Sequence, residues 1–158
     1  MLTRAFLQNV QAHAACRVVF DPRITSIVGP SDAGKSAIIR GLRWVAMNRP
    51  SGDSLRRFGE DDVRVRVWLE DGAAISRWRD KSGNGYQIKY PDGSVQTYAA
   101  IGQAVPDPVA ALLNLDAVNF QGQHDAPYWL SDPAGQVSKS LNAIVDLSII
   151  DDVLGYLD

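Results

Sequence analysis

The stretch Gly29 to Ser36, GPSDAGKS, fits the pattern G-x-x-x-x-G-K-[ST]. Each residue type in it suits the binding of phosphate. Gly29 and Gly34 let the chain wrap until successive N–H groups point at one centre, across Pro30, Ser31, Asp32 and Ala33. A helix that starts directly afterwards adds its dipole at the same place. Lys35 supplies an ammonium for the outer phosphates, Ser36 a hydroxyl for Mg²⁺, and Ala37 completes the stretch. The ligand expected from this pattern is a nucleotide's phosphates with Mg²⁺. The pattern alone does not separate kinases, GTPases, helicases and transporter-type ATPases. A GTPase would offer an Asn-Lys-x-Asp run, and none is present.

The elements on either side must hold that loop. Residues 2–10 read as a strand, residues 16–20 (CRVVF) as a second, and residues 24–28 (ITSIV) as a third that is β-branched, apolar and buried. A helix starts near Lys35, with Ile38, Ile39, Leu42, Val45 and Ala46 as its apolar stripe, and stops before Pro50. Residues 51–62 form a polar loop carrying Arg56 and Arg57. The period then changes. Val63, Val65, Val67 and Leu69 alternate with Arg64, Arg66 and Trp68, which predicts a half-buried strand. Asp71-Gly72, Gly83-Asn84-Gly85 and Asp92-Gly93 are turn signals, so residues 63–98 predict an antiparallel meander. Residues 109–115 predict a helix capped by Asp107, and residues 118–121 a short strand. Asp132 and Pro133 open a further helix to about residue 145, and residues 147–158 are helical in pattern.

Composition narrows the partners. The 158 residues suffice for one real core, and 46% hydrophobic with 22% charged residues is ordinary for a globular domain. A net charge of −2 announces neither nucleic acid nor membrane, so any such contact needs a local patch. Cys16 is the only cysteine, which excludes an internal disulfide and suits a reducing compartment. No signal-peptide run or spanning segment is visible, and a cytoplasmic location without a membrane partner is expected. Two histidines and one cysteine make no zinc pattern.

An antiparallel meander after the first helix does not suit a small kinase, which needs more parallel strands. Two strands before the one that runs into the loop, and a meander after it, suit an ATP-binding-cassette lobe. The opening, LQNVQAHAACRVVFDPRITSIVGPSDAGKSAIIRGLRWV, resembles the N-terminal head lobe of SMC-like DNA-repair ATPases of the SbcC family, phage-encoded relatives included. His13 and Phe20 fall where the family has a His ending the short segment after its first strand and a Phe ending the next strand. The stretch NFQGQHDAPYWLSDP, Asn119 to Pro133, is similar to the family's Q-loop. The resemblance covers nearly the whole chain, although the meander is not specific to it. The family often has Asn where Ser31 stands, and a small polar residue fits there.

The fold implied is α/β: a P-loop NTPase, the N-terminal lobe of an ABC-type head. It would comprise residues 1–50 with the P-loop, residues 51–100 as meander, and residues 101–158 as Q-loop and helices leading towards a coiled coil. By the resemblance, Lys35 and Gln121 act in catalysis, Gln121 contacts Mg²⁺ and the attacking water, and His13 lies near the nucleotide. No Leu-Ser-Gly-Gly run and no apolar strand ending in Asp-Glu is present. In the family both belong to a C-terminal lobe beyond the coil, so the chain is expected to be half of a head. A second ATPase head, DNA and a nuclease of the SbcD type are the implied partners, and ATP-driven head association would gate that nuclease.

Arg64, Arg66, Arg77 and Arg79, with Arg56 and Arg57, are candidates for DNA contact. The plain alternative is solvated charge on an exposed sheet face. His124 reads as a loop histidine, and Trp44, Phe120, Tyr128 and Trp129 as packing aromatics. The rival functions are a non-catalytic assembly module with an idle P-loop, and a self-contained P-loop kinase or hydrolase. For the second, no convincing acceptor site or base is visible.

Overall fold

The structure, a computed structural model, describes residues 1–122 and 133–144. The chain forms two compact units, Met1–Ala117 and Val118–Asp158. In the first, six strands build one sheet: β1 (Leu2–Val10), β2 (His13–Val19), β3 (Val63–Leu69), β4 (Ala74–Asp80), β5 (Gly83–Lys89) and β6 (Val95–Ala99). Their order is β2-β1-β3-β4-β5-β6, and every pair is antiparallel. From β3 onward this is the meander that the alternating pattern predicts. Between β2 and β3 the chain crosses over through the glycine loop and helix α1 (Lys35–Met47). A short helix, α2 (Asp107–Leu113), follows β6.

Alternation decides which face is buried. Ala5, Leu7, Val65, Val67, Ile75, Tyr86 and Ile88 point to one face and are buried there. Helix α1 covers that face with Ala37, Ile38, Leu42, Trp44 and Val45. The approach is close: a Cβ on Gly41 would lie 2.7 Å from Leu7 Cδ2. Ile39, expected in the apolar stripe, is 44% exposed, and Trp44 takes the buried place at 2%.

Arg77 closes the far end of this layer. It is 1% exposed and stacks on the rings of Trp44 and Tyr86, 4.4 and 4.8 Å from their centroids. Its Nε and Nη2 donate to Asn48 Oδ1 at 3.1 and 2.9 Å, and its Nη1 donates to the Gly85 carbonyl at 3.1 Å. Burial pulls its pKa down to about 10. Asn48 ends α1 in the left-handed conformation and donates its Nδ2 to the Gly102 and Ala104 carbonyls. Helix α1, the sheet and the loop after β6 are thus joined at one point.

Several expectations are corrected. Residues 24–28 form no strand: Ile24 and Val28 are 80% and 88% exposed. The local reason is Asp21, whose Oδ1 accepts from the N–H groups of Arg23 and Ile24 while its own N–H donates to Thr25 Oγ1. Such bonds compete with a ladder, and no described residue offers these amides a strand partner. Gly83-Asn84-Gly85 lies within β5, because Asp80 Oδ1 accepts from the Ser82 and Gly83 amides and places the turn earlier. The residue before α2 is Pro106 and no side chain caps the helix, so Asp107 is its first residue.

In the second unit, residues 118–121 are not a strand, since Ala117–Asn119 is a 3₁₀ turn. Helix α3 (Ala134–Ile144) begins after Pro133, whose carbonyl accepts from Gln136 N–H at 2.8 Å. Asp132, Gln123, His124, Tyr128, Trp129 and residues 145–158 lie outside the described residues. Among the described residues no helix is long and apolar enough to cross a membrane.

Candidate functional site

The glycine loop and the start of α1 form a cavity of about 260 Å³. Asp32 and Gly34 of the loop and Lys35, Ser36, Ala37 and Arg40 of α1 line it, together with Gln11 and Ala12 from the turn between β1 and β2. Helix α1 starts without a capping side chain and without an acidic residue in its first turn. Its first intrahelical bond is Ala37 N–H to the Gly34 carbonyl at 2.9 Å, so the Lys35 and Ser36 amides precede the ladder. An uncapped helix start at a cavity is suited to an anion. Asp32 and Gly34 both take the left-handed conformation, at φ 61° and 85°, which bends the loop back on itself.

Lys35 holds the loop closed. Its Nζ donates to the Gly29 carbonyl at 2.8 Å and the Pro30 carbonyl at 2.6 Å. An ammonium has three donors, so one remains for a phosphate oxygen. Ser31 and Ala33 are in the same loop, where Ala33 N–H donates to the Pro30 carbonyl at 3.4 Å. The Ser36 side chain is exposed at the cavity and makes no hydrogen bond among the described residues. Its hydroxyl oxygen is a hard donor of the kind Mg²⁺ takes beside phosphate oxygens, so the site fits that ion. Among the described residues no cluster of three or more His, Cys, Asp or Glu side chains offers a metal site.

His13 starts β2 and reaches the loop from behind. Its Nε2 donates to the Gly34 carbonyl at 3.0 Å, which requires the proton on Nε2. A Cβ on Gly34 would lie 2.5 Å from that nitrogen and 3.1 Å from Ala12 Cβ. Gly34 is therefore required twice, by its φ and by the imidazole packed on it. Arg57 also reaches this rim: its Nη1 donates to the Ala12 carbonyl at 2.7 Å, and its backbone N–H to the Asn9 carbonyl at 2.8 Å.

The arginines proposed for DNA separate into different environments. Register places Arg64, Arg66 and Trp68 on the open face, opposite Trp78, Ser76 and Ala74 of β4. Arg4 and Arg17 join them there, opposite Trp68 and Phe6. The Arg4 and Arg66 guanidinium groups lie 5.1 and 5.9 Å from the Trp68 ring centroid. Arg77 is the correction, because its burial removes it from any surface. Arg79 lies on the helix-covered face and pairs with Asp53 at 3.2 Å, and Arg56 pairs with Asp53 at 3.1 Å. Gln121 is exposed and belongs to the second unit.

Sequence reasoning missed four of these residues. Arg4 alternates with Ala5 and Leu7, and that pattern already sends it to the open face. Arg40 follows Ser36 by one helical turn, which puts both on one side of α1. Gln11 and Arg17 carry no comparable signal.

Residues 6–104, more than half of the chain, match the AAA domain family. The chain belongs to that family. Among solved structures it is similar to the recombination mediator protein RecF with ATP, in the RecFOR pathway, with a TM-score of 0.52 and 21% identity. That match covers 61% of this chain and 28% of the RecF chain. It is also similar to a chain from a structural study of ATP-driven dimerization and DNA-stimulated activation of SMC ATPases, with a TM-score of 0.51 and 16% identity. That match covers 96% of this chain and 98% of the other. Both likenesses speak for the fold alone, that of P-loop ATPase heads. No curated protein is similar to it in sequence.

Proposed function

We propose that the chain is the Mg–ATP-binding half of an SMC-like ATPase head, of the SbcC type, acting in DNA double-strand-break repair and recombination. The observation that carries this reading is the uncapped start of α1, with Lys35 and Ser36 at a cavity and His13 bonded to the Gly34 carbonyl. Gly29 to Ala37 and His13 form the nucleotide site. Ser36 would hold Mg²⁺, which supplies charge neutralisation at the phosphates when bound. Gln121 orients water with its amide, while Lys35 stabilises charge on the outer phosphate. A second head and its C-terminal lobe complete the site. The exposed apolar residues Ile24 and Val28, just before the loop, support a missing partner surface.

ATP then joins the heads, and hydrolysis releases them to gate an SbcD-type nuclease in the cytoplasm. DNA lies on the open sheet face over Arg4, Arg17, Arg64 and Arg66, with Arg57 nearer the nucleotide. Light scattering of the full-length protein tests this. Mg–ATP should drive association of wild type and not of Lys35→Ala. Association that ignores nucleotide in both would refute the reading.

A further inference from the structure

We propose that Arg40 is a nucleotide-binding residue that grips the α-phosphate end of a nucleoside polyphosphate; this rests on the nucleotide reading of the cradle. Two cations line the cavity, Lys35 and Arg40, against one carboxylate, Asp32. Along α1 the two cations are separated by about 7.5 Å of helix rise. Lys35 stands where the loop amides gather, so the outer phosphates belong there. A ligand that continues from that end past Ser36 and Ala37 meets Arg40 on the same side of the helix.

The guanidinium is held in place without being neutralised. Its Nη1 donates to Gln11 Oε1 at 3.0 Å, and Arg40 makes no ion pair among the described residues. One of five N–H donors is thereby used, and four remain. Gln11 is anchored in turn: its backbone N–H donates to the Leu55 carbonyl at 2.9 Å and its Nε2 to the Ser54 carbonyl at 3.2 Å. Arg56 and the β4 arginine Arg79 both pair with Asp53, whereas Arg40 has an amide partner that leaves its charge for a ligand. Residues small enough to leave room, Ser36 and Ala37, stand between the two cations.

The test is calorimetric binding of Mg–ATP and of magnesium pyrophosphate to the full-length protein and its variants. Pyrophosphate is short enough to occupy the Lys35 end alone. Arg40→Ala should weaken ATP by about ten- to a hundredfold, the range of a charge-assisted hydrogen bond, and leave pyrophosphate unchanged. Arg40→Lys should recover part of the ATP affinity, and Gln11→Ala should lose a smaller part. Lys35→Ala should lose both ligands. Unchanged ATP affinity in Arg40→Ala overturns the proposal, as does equal loss of ATP and pyrophosphate. Wild type that binds neither ligand overturns the cradle reading itself, a separate failure.

Discussion

Gly34→Ala tests the geometry of the loop most sharply. The new Cβ meets two obstacles. Gly34 sits at φ 85°, where a side chain costs about 1–2 kcal/mol. The Cβ would also lie 2.5 Å from His13 Nε2, so the imidazole must move and its bond to the Gly34 carbonyl is lost. That bond contributes about 1 kcal/mol, giving a total near 2–3 kcal/mol. Urea denaturation of wild type, Gly34→Ala, His13→Ala and the double variant separates the parts. In the His13→Ala background the glycine change should cost only the conformational part, about 1–2 kcal/mol. Strictly additive costs would show that His13 does not pack on Gly34. A neutral Gly34→Ala would show that the loop does not take the left-handed conformation. Nucleotide binding should fall in the same variant, because the adjacent Lys35 amide moves with it.

Other outcomes follow from the same packing. Arg77→Ala leaves Asn48 Oδ1 and the Gly85 carbonyl short of donors and should lower stability by about 3 kcal/mol in denaturant. Arg77→Met keeps volume and sheds the buried charge, so it should cost less, and the reverse order would contradict the packing described. On the open face, replacing Arg64 and Arg66 together should reduce the salt slope of DNA binding by about two, while Arg79→Ala leaves it unchanged. Burial pushes the Tyr86 phenol up to about 12 from its ordinary 10.0. Stability from keeping that phenol neutral is full below pH about 10 and is lost as pH rises towards about 12. Alkaline absorbance titration should show a late tyrosine phase that Tyr86→Phe removes.

Much of this arrangement was readable in the residues themselves. The loop, its helix and the alternating strand of Val63, Val65 and Val67 each carry a strong local signal, and all three are present. The failures share a cause. Residues 24–28 look like a buried strand because Ile24, Ile27 and Val28 are apolar, but apolar character does not supply a ladder partner. Arg77 alternates correctly onto the inner face with Ile75. Its burial depends on Trp44, Asn48 and Tyr86, which come from other elements and are invisible to a local pattern. Arg40 and Gln11 meet across 29 positions of sequence for the same reason.

The central claim is that the start of α1 receives the phosphates. Amide NMR of the 17.2 kDa chain during titration with Mg–ATP tests it directly. The account predicts that the largest shifts fall on the Gly34, Lys35 and Ser36 amides and saturate together. Saturable binding that shifts amides elsewhere and leaves these three unmoved would contradict it.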